Sequence, residues 1–209
     1  MSVIDMRALR AVLAALLLLC ALYVHFNSEI VDEWASGQRS NEDDNGLSLL
    51  GVQSEERWLV LQVKFPNNQY PTSTASEILI GQGSAEEYVE QMTGGSSSLS
   101  VTLFDEVWQA PHGVKNWGED VAGERDHGAD GNGAETLLRD VVSAQLQGID
   151  LSNWDLNSDG IIDRILILHS AQPQEMNGGT DSLWSHFTGM QEPLEIGDWR
   201  FEHLTIASI

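Results

Sequence analysis

The sequence predicts an α/β or α+β domain in which helices pack on a mixed, twisted β-sheet. Three observations lead to this prediction: apolar runs of strand length, segments with helical periodicity or helix-capping residues, and the alternation of the two kinds of segment. The predicted order of elements is β-α-β-α-β-β within residues 57–209. A segment of this length is sufficient to bury one hydrophobic core.

Four segments have the composition of β-strands. Residues 58–65 (WLVLQVKF) are rich in β-formers and end at Pro66, and residues 164–169 (RILILH) form a short, nearly continuous apolar run. Leu99–Trp108 and Trp199–Ile206 also have strand-like compositions, and the second alternates between apolar and polar residues. The two apolar runs indicate strands that are buried in a sheet.

A first helix is predicted to begin at Ser84 and to extend to about Met92. Ser84 and Glu87 have the spacing of a capping box, in which Ser84 caps the helix and Glu87 reaches back to it. Gly94 and Gly95 follow and are predicted to end the helix.

A second helix is predicted after the Gly- and Asp-rich loop 128–133. Asn132 is its predicted N-cap, with Glu135 three residues further on, and the helix is expected to end near Gly148. Apolar residues recur at helical spacing and form one stripe, which predicts a helix that packs on the sheet. The stripe consists of Ala134, Leu137, Leu138, Val141 and Val142.

Residues 1–27 have the features of a segment that directs export. Arg7 and Arg10 precede the apolar run 11–26, and acidic residues follow it, so the positive-inside rule exports the rest of the chain. The run is shorter than the roughly 20 residues that span a bilayer, and no clear A-x-A cleavage motif is present. A cleaved signal peptide, a retained membrane anchor and a buried core helix all stay open. The first two predict an extracytoplasmic protein, either secreted or held at the membrane.

Residues 28–56 are predicted to be a disordered acidic linker, because few of their side chains can bury apolar area. The whole chain has 32 acidic and 10 basic residues, which gives a formal net charge of -22. Such a charge repels nucleic acids and therefore argues against them as partners. Cys20 is the single cysteine, so an intrachain disulfide is excluded and stability must come from the core or a metal.

The most specific motif is the sequence D-x-N-x-D-G-x-x-D at residues 155–163. It places oxygen-bearing side chains at alternate positions, and Gly160 permits the sharp turn that lets them converge. Calcium prefers about six to eight hard oxygen ligands, and this loop supplies most of them. The predicted calcium ligands are the side chains of Asp155, Asn157, Asp159 and Asp163 and the backbone carbonyl of Ile161.

The acidic loop departs from an EF-hand after its ninth position. The twelfth position is Leu166, where an EF-hand has a bidentate Glu, and a strand-like segment follows where an EF-hand has a helix. We therefore predict a structural calcium loop and not a calcium sensor. The alternative is an Asp/Asn/Gly turn that binds no metal.

No catalytic centre is evident in the sequence. No histidine is followed by Glu and no two are four positions apart, so the His-Glu-x-x-His zinc motif is absent, as are nucleophile motifs built on Ser or Cys. His169 and His203 lie in predicted strands, where hydrogen-bonded structural roles are expected, and His186 is also expected to be structural. The six histidines are His25, His112, His127, His169, His186 and His203.

Over about residues 57–209, the order of these motifs resembles the immune-inhibitor-A-like metalloproteases, peptidase family M6. The chain departs from that family's pattern at Trp117, where Tyr is usual, and at Ala171–Glu175. The most specific matches are the Asp-rich loop and the later D-x-x-W-x-H sequence. The matching segments are Leu59–Pro66, the helix with Tyr88, Gly94–Val107, Trp154–Asp163, Ile165–His169 and Asp181–His186.

The resemblance implies a zincin-like fold, of which this chain would be the N-terminal subdomain. It also implies a full-length parent that is an exported zinc metalloendopeptidase with protein or peptide substrates. In that family, zinc is bound by a His-Glu-x-x-His helix, which is expected after Ile209, so no catalytic residue is assigned and the chain alone is expected to be inactive. A fragment of a longer protein and a natural short form both stay open. A different interpretation is a non-catalytic, calcium-dependent binding module at the cell surface.

Overall fold

The fold is given by a computed structural model, in which the chain divides into two units, Met1–Gly46 and Leu47–Ile209. In the first unit, the described residues between 14 and 26 are helical. No helix in the described part of the chain combines the length and the apolar character needed to cross a membrane. The structure describes residues 14, 16–19, 21–24, 26, 27, 50, 51, 53–66, 72–129, 131 and 133–209.

Much of the predicted export segment 1–27 and most of the predicted linker 28–56 lie outside the described residues, so both stay predictions. The end of the linker differs from the prediction, because the first strand already begins at Glu55. Glu56 is buried there and forms an ion pair with Arg164 at 2.9 Å. The pairing explains how an acidic residue with a linker-like context becomes part of the folded domain.

The second unit is built on a five-stranded sheet with the order β2-β1-β3-β5-β4. Strands β2, β1, β3 and β5 are parallel to one another, and β4 runs antiparallel to β5. The predicted α/β or α+β class with a mixed sheet is confirmed. The strands are β1 (Glu55–Lys64), β2 (Ser98–Gln109), β3 (Ile165–His169), β4 (His186–Ile196) and β5 (Trp199–Ser208).

Strand β4 is not predicted from the sequence. It contains Gly189 and Pro193, two residue types that argue against a regular strand. Its pairing with β5 is accordingly irregular between Gly189 and Leu194. An edge position tolerates this irregularity, because a proline there does not remove a hydrogen bond to a second neighbour.

Helices cover both faces of the sheet. On one face, the predicted stripe of α4 is buried against the β1 side chains Leu59, Leu61 and Val63. On the other face, α1 and α2 pack over Val60 and the neighbouring part of β2. The faces differ because successive side chains of a strand point in opposite directions. The helices are α1 (Thr72–Leu79), α2 (Ala85–Met92), α3 (Lys115–Gly118) and α4 (Gly133–Gln145).

The helix predicted at Ser84 forms, but the predicted capping box does not. Ser84 makes no side-chain hydrogen bond to the start of α2, and its hydroxyl donates to the carbonyl of Gly81. Glu87 accepts from the amide of Gly83 and not from that of Ser84. Ser84 and Glu87 therefore bond to Gly81 and Gly83 of the turn before α2 instead of to each other's backbone amides. For α4, the predicted N-cap Asn132 lies outside the described residues.

Strand β2 forms the other edge of the sheet and carries a bulge. Its pairing with β1 shifts between Val60 and Gln62, which leaves main-chain groups of β2 outside the ladder. Gln62 donates through Nε2 to the carbonyl of Phe104 at 2.6 Å, and Gln145 of α4 donates to the carbonyl of Glu106. Two buried amides therefore satisfy the bulge from opposite faces of the sheet.

Replacing Leu138 with Ala tests whether α4 closes the core. Leu138 is fully buried in the cluster that contains β1, so Leu138→Ala should lower the free energy of unfolding by about 2 to 5 kcal/mol in urea denaturation. Ser143 lies on the exposed side of the same helix, and Ser143→Ala should change that free energy by less than about 0.5 kcal/mol. Equal effects of the two substitutions would contradict the packing of α4 on the sheet.

Candidate functional site

Residues 155–163 form a loop between a short 3-10 turn, Ser152–Trp154, and strand β3. Two of its residues have positive φ, Ser158 at 61° and Gly160 at 84°. Glycine adopts this conformation at no steric cost, and Gly160 therefore lies at the turn for which the motif requires it. The backbone reverses direction between the first and last acidic residues of the loop.

The loop is closed by hydrogen bonds between its carboxylates and its own amides. The two oxygens of Asp155 accept from the amides of Asp159, at 3.1 Å, and Gly160, at 2.9 Å. Asp163 accepts from the amide of Leu156 at 2.7 Å. Since an ionised carboxylate has about four lone-pair sites, these bonds shape the loop and leave acceptor capacity on both residues.

The other two predicted side-chain ligands contact each other within the loop. Asn157 donates through Nδ2 to Oδ2 of Asp159 at 2.8 Å, and its own oxygen accepts from the amide of Asp159 at 3.3 Å. Oδ1 of Asp159 accepts from the amide of Ile161 at 2.9 Å. Ile161 forms an isolated parallel β-bridge with Arg200, which lies on strand β5.

Burial and mutual proximity set the electrostatics of these carboxylates. Asp163 is 1% exposed and Asp155 is 9% exposed. Burial raises the pKa of Asp163 above its ordinary value, the hydrogen bond from Leu156 lowers it, and the nearby charges of Asp159 and Asp155 raise it again. The structure thus brings together three of the predicted ligands closely enough for their charges to repel one another.

The donor set of the loop fits calcium in kind, because carboxylate, amide and carbonyl oxygens are the ligands that calcium prefers. Within the described ranges, no group of three or more His, Cys, Asp or Glu side chains is arranged to hold a metal ion. Calcium binding by residues 155–163 therefore stays a prediction.

The end of the loop is anchored to the sheet through Asp163. Its carbonyl oxygen accepts from Nε2 of His203, on β5, at 2.8 Å and from Nη1 of Arg164 at 3.0 Å. Its amide donates to the carbonyl of Trp154 at 3.1 Å. The guanidinium of Arg164 also binds Glu56 of β1, so the loop, β1, β3 and β5 meet at this point.

A second polar group, centred on Asp126, joins the loop before α4 to the segment after β3. Both oxygens of Asp126 accept from the amide of Trp184, at 3.0 and 3.1 Å, and Nδ1 of His186 lies 3.4 Å away. Asp120 accepts from the amide of Asp126 at 3.1 Å and from Nε2 of Gln174 at 2.8 Å. Sequence reasoning does not single out Asp126, because its principal partner is 58 residues away.

Burial gives Asp126 an unusual affinity for protons. The residue is 8% exposed, and burial raises its pKa to about 6 even though the amide of Trp184 and the charge of His186 lower it. The charges of Asp120 and Glu175 raise it further. Asp126 and His186 line a polar surface cavity of about 300 Å³, together with Glu124, Arg125, His127, Gly131, Gly133, Ala134, Glu135, Thr188, Gly189 and Gln191.

The described histidines include the two that were expected to be hydrogen-bonded in strands. His169 is fully buried beside the ring of Phe65, its Nδ1 accepts from the amide of Ala171 at 3.3 Å, and burial lowers its pKa to about 4. His203 binds the carbonyl of Asp163, as described above. His25 lies outside the described residues.

The fold and the acidic loop define an α+β domain in which an Asp-rich turn leads into a buried strand of a mixed sheet. No profile of a known protein family matches the chain. Among curated proteins, it is similar to Immune inhibitor A of Bacillus thuringiensis subsp. alesti, with 30% identity over 118 residues, or 48% of this chain. The match covers 17% of that relative's length. It supports a distant relationship to the metalloprotease family that the order of motifs resembles.

The raised pKa of Asp126 predicts a pH-dependent contribution to stability. Because the folded-state pKa of about 6 exceeds the ordinary value of 3.8, the folded state binds the proton more tightly, and this stabilisation is complete below the ordinary pKa. It is lost as the pH rises through about 6, by an amount on the order of 3 kcal/mol. The free energy of unfolding of Asp126→Asn should lack this decrease between about pH 4 and pH 6.

Urea denaturation across this pH range measures the difference between the wild-type protein and Asp126→Asn. Thr188→Val is a suitable control, because Thr188 lines the same cavity and has no ionisable group. The control should keep the wild-type pH profile. A wild-type profile that coincides with that of Asp126→Asn would contradict the raised pKa.

Proposed function

We propose that this chain is the N-terminal part of an exported, calcium-stabilised zinc metalloendopeptidase. The similarity to Immune inhibitor A carries the proposal. The acidic loop supports the proposal, because it lies immediately before the buried strand β3. The loop and the strand follow one another in the same order as the corresponding motifs of the immune-inhibitor-A-like metalloproteases. In this proposal the chain supplies a stable subdomain and part of a cleft for protein or peptide substrates, and the catalytic groups lie elsewhere in the parent protein.

Calcium is the ion proposed for the loop. Asp155, Asn157, Asp159 and Asp163 would hold it through side-chain oxygens, and Ile161 through its backbone carbonyl. The charges of Asp159 and Asp155 repel that of Asp163 and contribute to its raised pKa, and this repulsion is the unfavourable term that a divalent cation would remove. The ion would thereby stabilise the turn that precedes β3.

Zinc is proposed for the parent protein and not for these residues. When bound to a His-Glu-x-x-His helix, zinc activates a water molecule for attack on a peptide bond. The sequence of the chain contains no such motif. We therefore assign none of its histidines to catalysis and propose that the chain alone is inactive.

Export is proposed from the sequence of residues 1–27, in which two arginines precede the apolar run 11–26. The run would either be cleaved after translocation or retain the protein at the outer side of the membrane. Both outcomes give the folded unit access to extracytoplasmic substrates, and the net charge of -22 argues against nucleic acid as a partner.

The genomic sequence that follows codon 209 tests the protease proposal. A His-Glu-x-x-His motif in the same reading frame is the expected finding, and the protein extended to include it should cleave casein in a chelator-sensitive manner. The 209-residue chain should show no zinc-dependent cleavage in the same assay. A stop codon directly after Ile209 would instead favour a non-catalytic, calcium-dependent surface binding module.

Calcium binding is tested by thermal and urea denaturation with and without the ion. Calcium at about 100 times its dissociation constant should stabilise the wild-type protein by roughly 2.7 kcal/mol, and a chelator should reverse this stabilisation. Asp159→Ala should remove most of the calcium effect, because it deletes a carboxylate of the loop. Glu90→Ala, which removes an exposed acidic residue of α2, should leave the effect unchanged. Identical denaturation with and without calcium would exclude the ion from the loop.

A further inference from the structure

We propose that His203 is a positioning residue for the acidic loop, which it orients through the main chain of Asp163 without being a metal ligand. The inference rests on the calcium site proposed above. His203 is separated from Asp163 by 40 residues and lies on β5, where it is 3% exposed. A buried histidine on a neighbouring strand therefore determines part of the loop's geometry.

The partner of His203 requires a proton on one particular ring nitrogen. Nε2 lies 2.8 Å from the carbonyl oxygen of Asp163, and a carbonyl oxygen can only accept, so Nε2 must be the donor. Nδ1 is buried and has no hydrogen-bond partner among the described residues. The ring of Phe187 packs against the imidazole with a centroid separation of 5.4 Å. The bond to Asp163 is thus the polar contact that orients this side chain.

The bond to His203 restricts Asp163 because the same carbonyl also accepts from Nη1 of Arg164 at 3.0 Å. With two donors on one oxygen, the orientation of the peptide group is determined. The carboxylate of Asp163 is held separately by the amide of Leu156 at 2.7 Å. A ligand that is fixed before the ion arrives loses less conformational freedom on binding. Partners of metal ligands often affect affinity in this way.

Other contacts between the loop and β5 do not depend on the side chain of His203. The amide of Ile162 donates to the carbonyl of Arg200, and the amide of Arg200 donates to the carbonyl of Gly160, both at 2.9 Å. These main-chain bonds do not involve the imidazole and should remain when His203 is replaced. A substitution of His203 should therefore loosen Asp163 while the loop stays attached to the sheet.

The test compares His203→Gln with His203→Asn in calcium titration calorimetry on the full 209-residue chain. The longer Gln places an amide donor near the position of Nε2, whereas the shorter Asn places it near Nδ1 and away from Asp163. His203→Asn should weaken calcium binding roughly tenfold. His203→Gln should remain within about threefold of the wild-type affinity, because it keeps the hydrogen bond.

Thr205→Val is the matched control. Thr205 lies two residues from His203 on β5, and both line a surface cavity of about 290 Å³. Thr205 takes no part in the hydrogen bonds that hold the acidic loop. Its calcium affinity should equal that of the wild type. Equal affinities of the Gln and Asn variants would overturn the positioning role. A wild-type chain that binds no calcium would instead overturn the proposed calcium site, so the two failures are distinguishable.

A second measurement on the wild-type protein covers the case in which His203→Asn does not fold. In ¹⁵N NMR of histidine-labelled protein, Nε2 of His203 should carry a proton, and calcium should shift that resonance. His112, which is exposed and lies in a different loop, provides an internal reference that calcium should not shift. An Nε2 that carries no proton, or an Nε2 resonance that calcium leaves unchanged, would contradict the proposal.

Discussion

The backbone carbonyl of Asp163 is the contact on which the arrangement around the acidic loop depends. Two side chains from different parts of the chain donate to it, His203 from β5 and Arg164 from the start of β3. Arg164 also forms an ion pair with Glu56, so the same group of contacts fixes the beginning of β1. Because these groups are largely buried, an unpaired partner would carry a desolvation cost of about 1 to 3 kcal/mol or more. Loop and sheet are consequently constrained to form together.

A local sequence pattern predicts an element when nearby residues stabilise that element or when the residues of the pattern share the same degree of burial. The apolar runs of β1 and β3 and the stripe of α4 are each recognisable, because every residue of the pattern faces the same environment. Strand β4 escapes prediction, since its Gly189 and Pro193 are tolerated only through its place at an edge. The short helix α1 and the single turn α3 have too few residues for a periodicity to emerge.

The candidate site shows the same division between local and distant information. The spacing of carboxylates in residues 155–163 is visible in the sequence, and so is the glycine that the turn requires. The role of His203 and the burial of Asp126 are not visible, because each depends on a partner 40 or 58 residues away. Even the capping box predicted at Ser84, a strictly local motif, does not form, because Ser84 and Glu87 bond to Gly81 and Gly83 of the preceding turn. Tertiary contacts therefore decide the details that matter most for chemistry.

The bulge in β2 has a consequence for the behaviour of this protein in solution. A straight, exposed edge strand is a template onto which the strand of another molecule can add. Here the amides of Gln62 and Gln145 occupy carbonyls of β2 from either side and hold the strand out of register with β1. An incoming strand would meet an interrupted edge, because the distortion divides the regular part of β2. The two glutamines thus maintain an irregular edge of the kind that disfavours the addition of a strand from another molecule.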